Sequence, residues 1–321
     1  MTALTRRAVT ALLASAAAWP VRAQSAWPQV TLVVPFPPGG STDALARLLA
    51  PGLSQRLDTN VIVENKGGAM GSLGAVQVAL APPNGSSFLV AFDSHALLGA
   101  LIERPPLDIE KDLEPVLLVG TAPYVVAAHP SLPYKTFGDV VAAAKQKPIS
   151  YSSAGPGTLG HLAMVLLGKR TGAQFTHVPY KGAGPAIVDT TAGHVDLIIA
   201  SIAILLPQIE AGKLKPLMQT GRTRADALKD VPTAIESGFA DFEASAWWGI
   251  FTPKDTPAAV IVRANAAFTA TLRDKTAASQ LRETQQVNLT LEGPDAFRAF
   301  FARQIKTWGD VVRENNIKAS N

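Results

Sequence analysis

Val30-Thr31-Leu32-Val33-Val34-Pro35-Phe36-Pro37-Pro38-Gly39-Gly40-Ser41-Thr42-Asp43-Ala44-Leu45-Ala46 passes from a β-branched run, through a Pro- and Gly-rich loop, into a helical pattern. The run suits a buried strand and is too short for a helix; the prolines stop it, and Ser, Thr and Asp favour a first helical turn. Strand, loop and helix in that order form the repeating unit of a parallel α/β layer. The same step recurs outward along the chain. Strands are predicted over Val30–Pro35, Val61–Asn65, Phe88–Phe92, Ile149–Ser153, Phe175–Val178, Leu197–Ser201 and Pro216–Thr220. Between them, Ala44–Gln55, Ser72–Ala81, Phe137–Gln146, His161–Thr171 and Pro185–Ala192 carry apolar residues three and four apart, as amphipathic helices do.

Two blocks result, about 29–115 and about 130–220. Val116–Ala128 joins them; it is too long and too broken by proline for an ordinary internal strand and is expected to cross between two lobes. Beyond it Trp247–Phe251 reads as a strand followed by three helical segments. Thr233 and Glu236 have capping-box spacing, and Gly293-Pro294 opens a helix whose core face carries Phe297, Phe300, Phe301, Ile305 and Trp308. If this tail packs back on the first block, the chain crosses between lobes twice, as a hinge requires. The expected division is 24–124 with 248–321 as lobe 1 and 125–247 as lobe 2.

Composition narrows the function. With 47% apolar and 17% charged residues, the 321-residue chain can bury a large core. Residues 1–23 read as an export leader: Arg6-Arg7, an apolar run over Ala8–Ala18, and Val21-Arg22-Ala23 as a small-x-Ala cleavage site. The run falls short of the roughly 20 apolar residues that span a bilayer. Either the general or the twin-arginine export route fits. Cleavage after Ala23 removes Arg6, Arg7 and Arg22 and lowers the net charge from +4 to +1. A chain so near neutrality lacks the basic excess that holds nucleic acid. The absence of cysteine excludes disulfides, thiol catalysis and Cys-ligated metals.

Four loops carry the chemistry, each following a strand and leading to a helix start. They are Pro35–Asp43, Asn65–Ser72, Ser152–Thr158 and Val178–Gly184. Glycines let an anion approach the backbone, and each helix start offers free N–H groups and a partial positive charge. None of the loops contains Arg, and only Lys66 and Lys181 are basic, which favours a carboxylate held by backbone and hydroxyls over a phosphate ester. Candidate ligand contacts in these loops are Phe36, Gly40, Ser41, Thr42, Asp43, Ala69, Ser153, Ala154, Gly155, Thr158 and Tyr180. Helix capping by Ser41, Thr42, Asp43 and Thr158 is the plainer alternative, and Asp43 suits either a ligand amine or the helix dipole. Asp93 and Ser94, in Asp93-Ser94-His95 after the third strand, are candidates for ligand selectivity or simply solvated loop residues. His161 and His177 are placed either to line a cleft or to pack; His161 joins the candidate set.

Gly155-Pro156-Gly157-Thr158-Leu159-Gly160 matches a dinucleotide fingerprint, but the acidic residue expected about 20 positions later is missing. No P-loop, no G-x-S-x-G and no H-E-x-x-H or H-x-H spacing occurs, so nothing local supports a nucleotide, a hydrolase nucleophile or a metal. No cofactor is expected.

At these loops the sequence resembles the Bug-type (TctC-like) extracytoplasmic solute receptors of tripartite tricarboxylate transporters. The resemblance rests on Val33–Asp43, Val63–Ala69, His177–Gly182, Gly193–Asp196, Val231-Pro232-Thr233 with Glu236, and Trp248–Pro253, in that order along the chain. It implies a type II periplasmic-binding-protein-like α/β fold, with two lobes joined by two crossing segments and a ligand closed between them. It implies contacts from Phe36, Gly40, Ser41, Thr42, Asp43, Ser153, Ala154, Gly155 and Thr158. The ligand implied is a small organic carboxylate (dicarboxylate, amino acid or aromatic acid), delivered in the periplasm by a monomer to the transporter's membrane components. Two departures are Pro83-Asn84-Gly85 for the usual Pro-Asp-Gly and Lys66-Gly67-Gly68 for Arg-Pro-Gly. Two other classes share the loops: an exported α/β enzyme with His161 or His177 as general base, and a ligand-sensing partner of a signalling protein.

Overall fold

The computed structural model describes residues 27–318, so the leader at 1–23 and its cleavage site lie outside the described residues. Ten strands form: β1 (Val30–Val34), β2 (Val61–Asn65), β3 (Ser87–Phe92), β4 (Leu113–Ala128), β5 (Ile149–Ser153), β6 (Phe175–Pro179), β7 (Leu197–Ser201), β8 (Lys215–Gln219), β9 (Ser245–Pro253) and β10 (Asn288–Glu292). The helices are α1 (Ser41–Leu57), α2 (Ser72–Ala79), α3 (Leu98–Leu101), α4 (Ile109–Asp112), α5 (Phe137–Ala144), α6 (Leu159–Thr171), α7 (Ala183–Thr191), α8 (Ile202–Glu210), α9 (Ala258–Leu272), α10 (Lys275–Gln285) and α11 (Pro294–Glu314).

Two parallel units mirror the two blocks. β1 pairs in parallel with β2 and β3, and β5 pairs in parallel with β6 and β7, so the four Gly-rich loops leave the carboxyl ends of parallel strands. β4 is the difference from expectation. Val116–Ala128 is no strand-free connection; it belongs to one strand beginning at Leu113. Its first part pairs antiparallel with β9 as far as Pro123↔Ser245, and from Tyr124 onward it pairs with β7 and β8. Proline is tolerated because Pro115 borders a register shift and Pro123 sits where the strand changes partners.

One buried cluster runs from Leu32, Leu49 and Phe88 through Val125 to Ile198 and Leu205, so the two halves share a core beneath β4. The C-terminal helix adds a second tie. Phe297 and Phe301 of α11 pack against Trp247 and Phe251 of β9, with ring centroids 4.7–5.9 Å apart. Gly249 is required there, because a Cβ would sit 2.1 Å from the Phe297 ring. The far end of α11 leaves this group: Trp308, Val311 and Val312 join the cluster formed by Tyr151, Leu162 and Met164. The described part of 248–321, through α11, therefore touches both halves. Thr233 and Glu236 form their reciprocal bonds at 3.1 and 2.7 Å, yet these close a turn and no helix follows.

Phe297→Ala should lower unfolding free energy by about 3–5 kcal/mol, the range for deleting a buried aromatic side chain. Urea unfolding should show a lower midpoint with an unchanged slope.

Candidate functional site

The loop after β1 delivers Gly40 as the residue before α1, with extended backbone at φ −80° and ψ 173°. Ala44 N–H is the first to bond back, to Gly40 O at 2.9 Å. The N–H groups of Ser41, Thr42 and Asp43 are therefore free of partners among the described residues, as are the hydroxyls of Ser41 and Thr42. The loop after β5 repeats the arrangement. Leu162 N–H bonds Thr158 O at 3.0 Å, leaving the N–H groups of Leu159, Gly160 and His161 unbonded. Each helix start thus presents unpaired donors and the positive end of a dipole, chemistry suited to an anion.

The Asp43 carboxylate is engaged elsewhere. Its Oδ2 accepts from Gly39 N–H at 3.0 Å and Arg47 Nε at 2.8 Å, and its Oδ1 accepts from Asn65 Nδ2 at 2.9 Å. Asn65 Nδ2 also donates to Phe36 O at 3.1 Å. The Arg47 hydrogen bond, with help from Gly39 and Asn65, holds the Asp43 carboxyl down at about 2. With both oxygens bonded, the Asp43 carboxylate braces the Phe36–Gly40 turn. Asn65, the first residue of the second loop, thereby ties the first two loops together.

Phe36 is half-buried, edge-on to Phe92 and His95 at 6.2 and 5.9 Å. Ala69 is exposed, in left-handed backbone at φ 46°, and Ser94 donates to Met70 O at 3.4 Å. Asp93 is no solvated loop residue: it is 6% exposed and accepts from Tyr124 Oη at 3.2 Å. No cation neutralises it, and burial pushes its carboxyl up to about 7. Burial likewise pushes the Tyr124 phenol up. Tyr124 packs against both large clusters, so this bond ties the β3 end to the point where β4 changes partners.

In the second half, Ser153 is 1% exposed and its Oγ lies 2.8 Å from His177 Nε2. Gly155 has φ 135°, and a Cβ there would sit 2.9 Å from Tyr180 O, so only glycine lets the two loops meet. Ala154 O accepts from Gly182 N–H at 3.0 Å. Thr158 makes no side-chain cap; its hydroxyl donates to Gly155 O at 2.7 Å. The Tyr180 hydroxyl donates to Asp189 Oδ2 on the following helix, α7, at 2.6 Å. His161 Nδ1 accepts from Gly157 N–H at 3.1 Å. Leu101 of α3 packs over Gly157, bringing the first half against this loop.

A cavity of about 270 Å³ lies elsewhere, between Thr121, Arg222, Glu243 and Arg282, and none of the candidate residues lines it. Arg222 is paired with Glu243 at 3.3 Å and Arg224 with Glu236 at 2.8 Å, so much of its charge is already satisfied internally. No group of three or more His, Asp or Glu among the described residues is placed to hold a metal.

Asp93→Asn tests the buried carboxyl. A carboxyl raised from 3.8 to about 7 in the folded chain contributes stability below about pH 4 that is lost as pH rises through 7. Urea midpoints at pH 5 and pH 8 should shift in favour of the variant, at a slope of up to about 1.4 kcal/mol per pH unit below 7.

The family model described as the tripartite tricarboxylate transporter family receptor matches residues 45–317. Protein BugT of Bordetella pertussis is 34% identical over 293 residues, covering 90% of each chain. An R. palustris protein solved with adipate superposes with TM-score 0.78 at 31% identity, over 91% of this chain and 99% of that one. MatC of Rhodopseudomonas palustris, solved with bound malate, gives 0.73 at 30% identity over 92% and 100%. The α/β architecture is that of two-lobed periplasmic binding proteins of this type. With free helix N-termini at the carboxyl ends of both parallel units and a family match over most of its length, the chain belongs to the tripartite tricarboxylate transporter receptors, a family of solute receptors and not of enzymes.

Proposed function

We propose that this chain is exported with cleavage after Ala23 and works in the periplasm as a monomeric receptor for a small organic carboxylate. Lobe 1 (24–124 and 248–321) and lobe 2 (125–247) close over the ligand and present it to the membrane components of a transporter. The carrying observation is the pair of unpaired helix N-termini, Ser41–Asp43 on α1 and Leu159–His161 on α6. One such end contributes about 0.3–1 kcal/mol to an exposed anion and up to about 2 when partly buried, so two acting together can hold a carboxylate without an arginine. Ser41 and Thr42 supply the free hydroxyls. The adipate and malate seen in the R. palustris proteins favour a dicarboxylate.

The enzyme reading has one observation in its favour, the 2.8 Å contact between Ser153 Oγ and His177 Nε2. Ser153 is too buried for attack on a substrate, and no carboxylate among the described residues orients His177 as a triad requires.

Thermal unfolding of the ligand-stripped mature chain against mono-, di- and tricarboxylates, amino acids and aromatic acids tests the receptor reading. A true ligand at about 100 times its dissociation constant adds about 2.7 kcal/mol, a shift of several degrees. Thr42→Val should leave the unliganded melting temperature near wild type and weaken the carboxylate that scores. No shift with any carboxylate would refute the reading, and unchanged affinity in Thr42→Val would remove α1 from the site.

A further inference from the structure

The β5–α6 loop must keep one shape to aim its N–H groups, yet it contains no charged side chain. Two imidazoles brace it. His161 Nδ1 accepts from Gly157 N–H, and His177 Nε2 bonds Ser153 Oγ, so both ends of the loop rest on a histidine. The two rings stack with centroids 4.1 Å apart and planes 14° from parallel, and Tyr151 stacks on His177 at 4.9 Å.

Such a stack tolerates charge poorly. Burial, and then the neighbouring His161, push the His177 imidazole down to about 4, and burial lowers His161 as well. The titratable groups facing the pair are Tyr151, whose phenol burial keeps protonated, and the two rings themselves. No carboxylate or ammonium among the described residues bonds either ring. Because His161 Nδ1 is an acceptor, its proton resides on Nε2. A second proton, arriving at Nδ1, turns that acceptor into a donor facing the Gly157 N–H, and the bond is lost.

We propose that His161 and His177 are positioning residues of the anion-binding loop, and that protonating His161 unlatches the loop so that the receptor releases its ligand in acid. The release step rests on the carboxylate-receptor reading; the latch itself does not.

The test uses the mature chain and the variants His161→Asn and His161→Leu. Asparagine places a carbonyl oxygen near the position of Nδ1 and does not titrate, whereas leucine removes the acceptor. Amide exchange of the ligand-free proteins between pH 7 and pH 4 reads the protection factor of Gly157. Calorimetry with malate and with adipate over the same range reads affinity. In wild type, Gly157 protection should fall in acid, and affinity should drop by up to about tenfold per pH unit beyond the ligand's own ionisation once His161 titrates. His161→Asn should keep Gly157 protected across the range and show only the ligand's ionisation, whatever its affinity at pH 7. His161→Leu should lack the protection at every pH, while urea unfolding shows whether it is folded. Gly157 protection with the same pH profile in wild type and His161→Asn would overturn the proposal. Failure of both dicarboxylates to bind, with the Gly157 profile as expected, would sustain the latch and refute the ligand class instead.

Discussion

One strand serves both halves of the molecule. β4 gives the hydrogen bonds of its first part to β9 and β10 and those of its last part to β7 and β8, with the change falling at Pro123 and Tyr124. Proline has no N–H to give a ladder, so at Pro123, as at Pro115, an interruption costs little. Directly after it, Tyr124 N–H donates to Thr220 Oγ1 at 3.0 Å and the Tyr124 phenol reaches Asp93. Backbone direction, core continuity and a buried carboxyl therefore meet at two adjacent residues.

Around that strand the site is built from dipoles, with formal charges kept out of the donor set. Asp43 stands at the start of α1, where an acid would compete with a bound anion, but its oxygens are spent on Gly39, Arg47 and Asn65. The result is a turn fixed by a carboxylate whose charge is met from outside by an exposed arginine. In the second half, neutral imidazoles do the comparable work for the Ser153–Thr158 loop. Neutral braces leave the local potential to the helix ends, which agrees with a chain expected to be nearly neutral after its leader is removed.

Much of this was legible in advance. β2, β5 and β7 begin and end where alternation and length put them, and the aromatic face of α11 is buried at Phe297, Phe301 and Trp308 as its spacing demanded. The hydroxyls of Ser41 and Thr42, at a helix start as their loop chemistry led one to expect, have no partner among the described residues. The internal bonds of Asp93 and Tyr180 were not legible, because hydroxyl and carboxyl groups look alike in a sequence whether they face a cleft or a neighbouring side chain. Their partners, Tyr124 at 31 positions and Asp189 at 9, have no local signature. β10 was missed although Asn288–Glu292 alternates polar and apolar, because the run is only five residues long and its pairing with β4 spans more than 160 positions.

The sequence alone determined the α/β alternation, the four Gly-rich loops and the absence of arginine from them, since these follow from local sterics, hydrophobic period and composition. The tertiary structure decided which loop groups remain free. It also turned Val116–Ala128 into a shared strand and brought His161 against His177, because satisfying buried hydrogen-bonding groups depends on residues far apart in the chain.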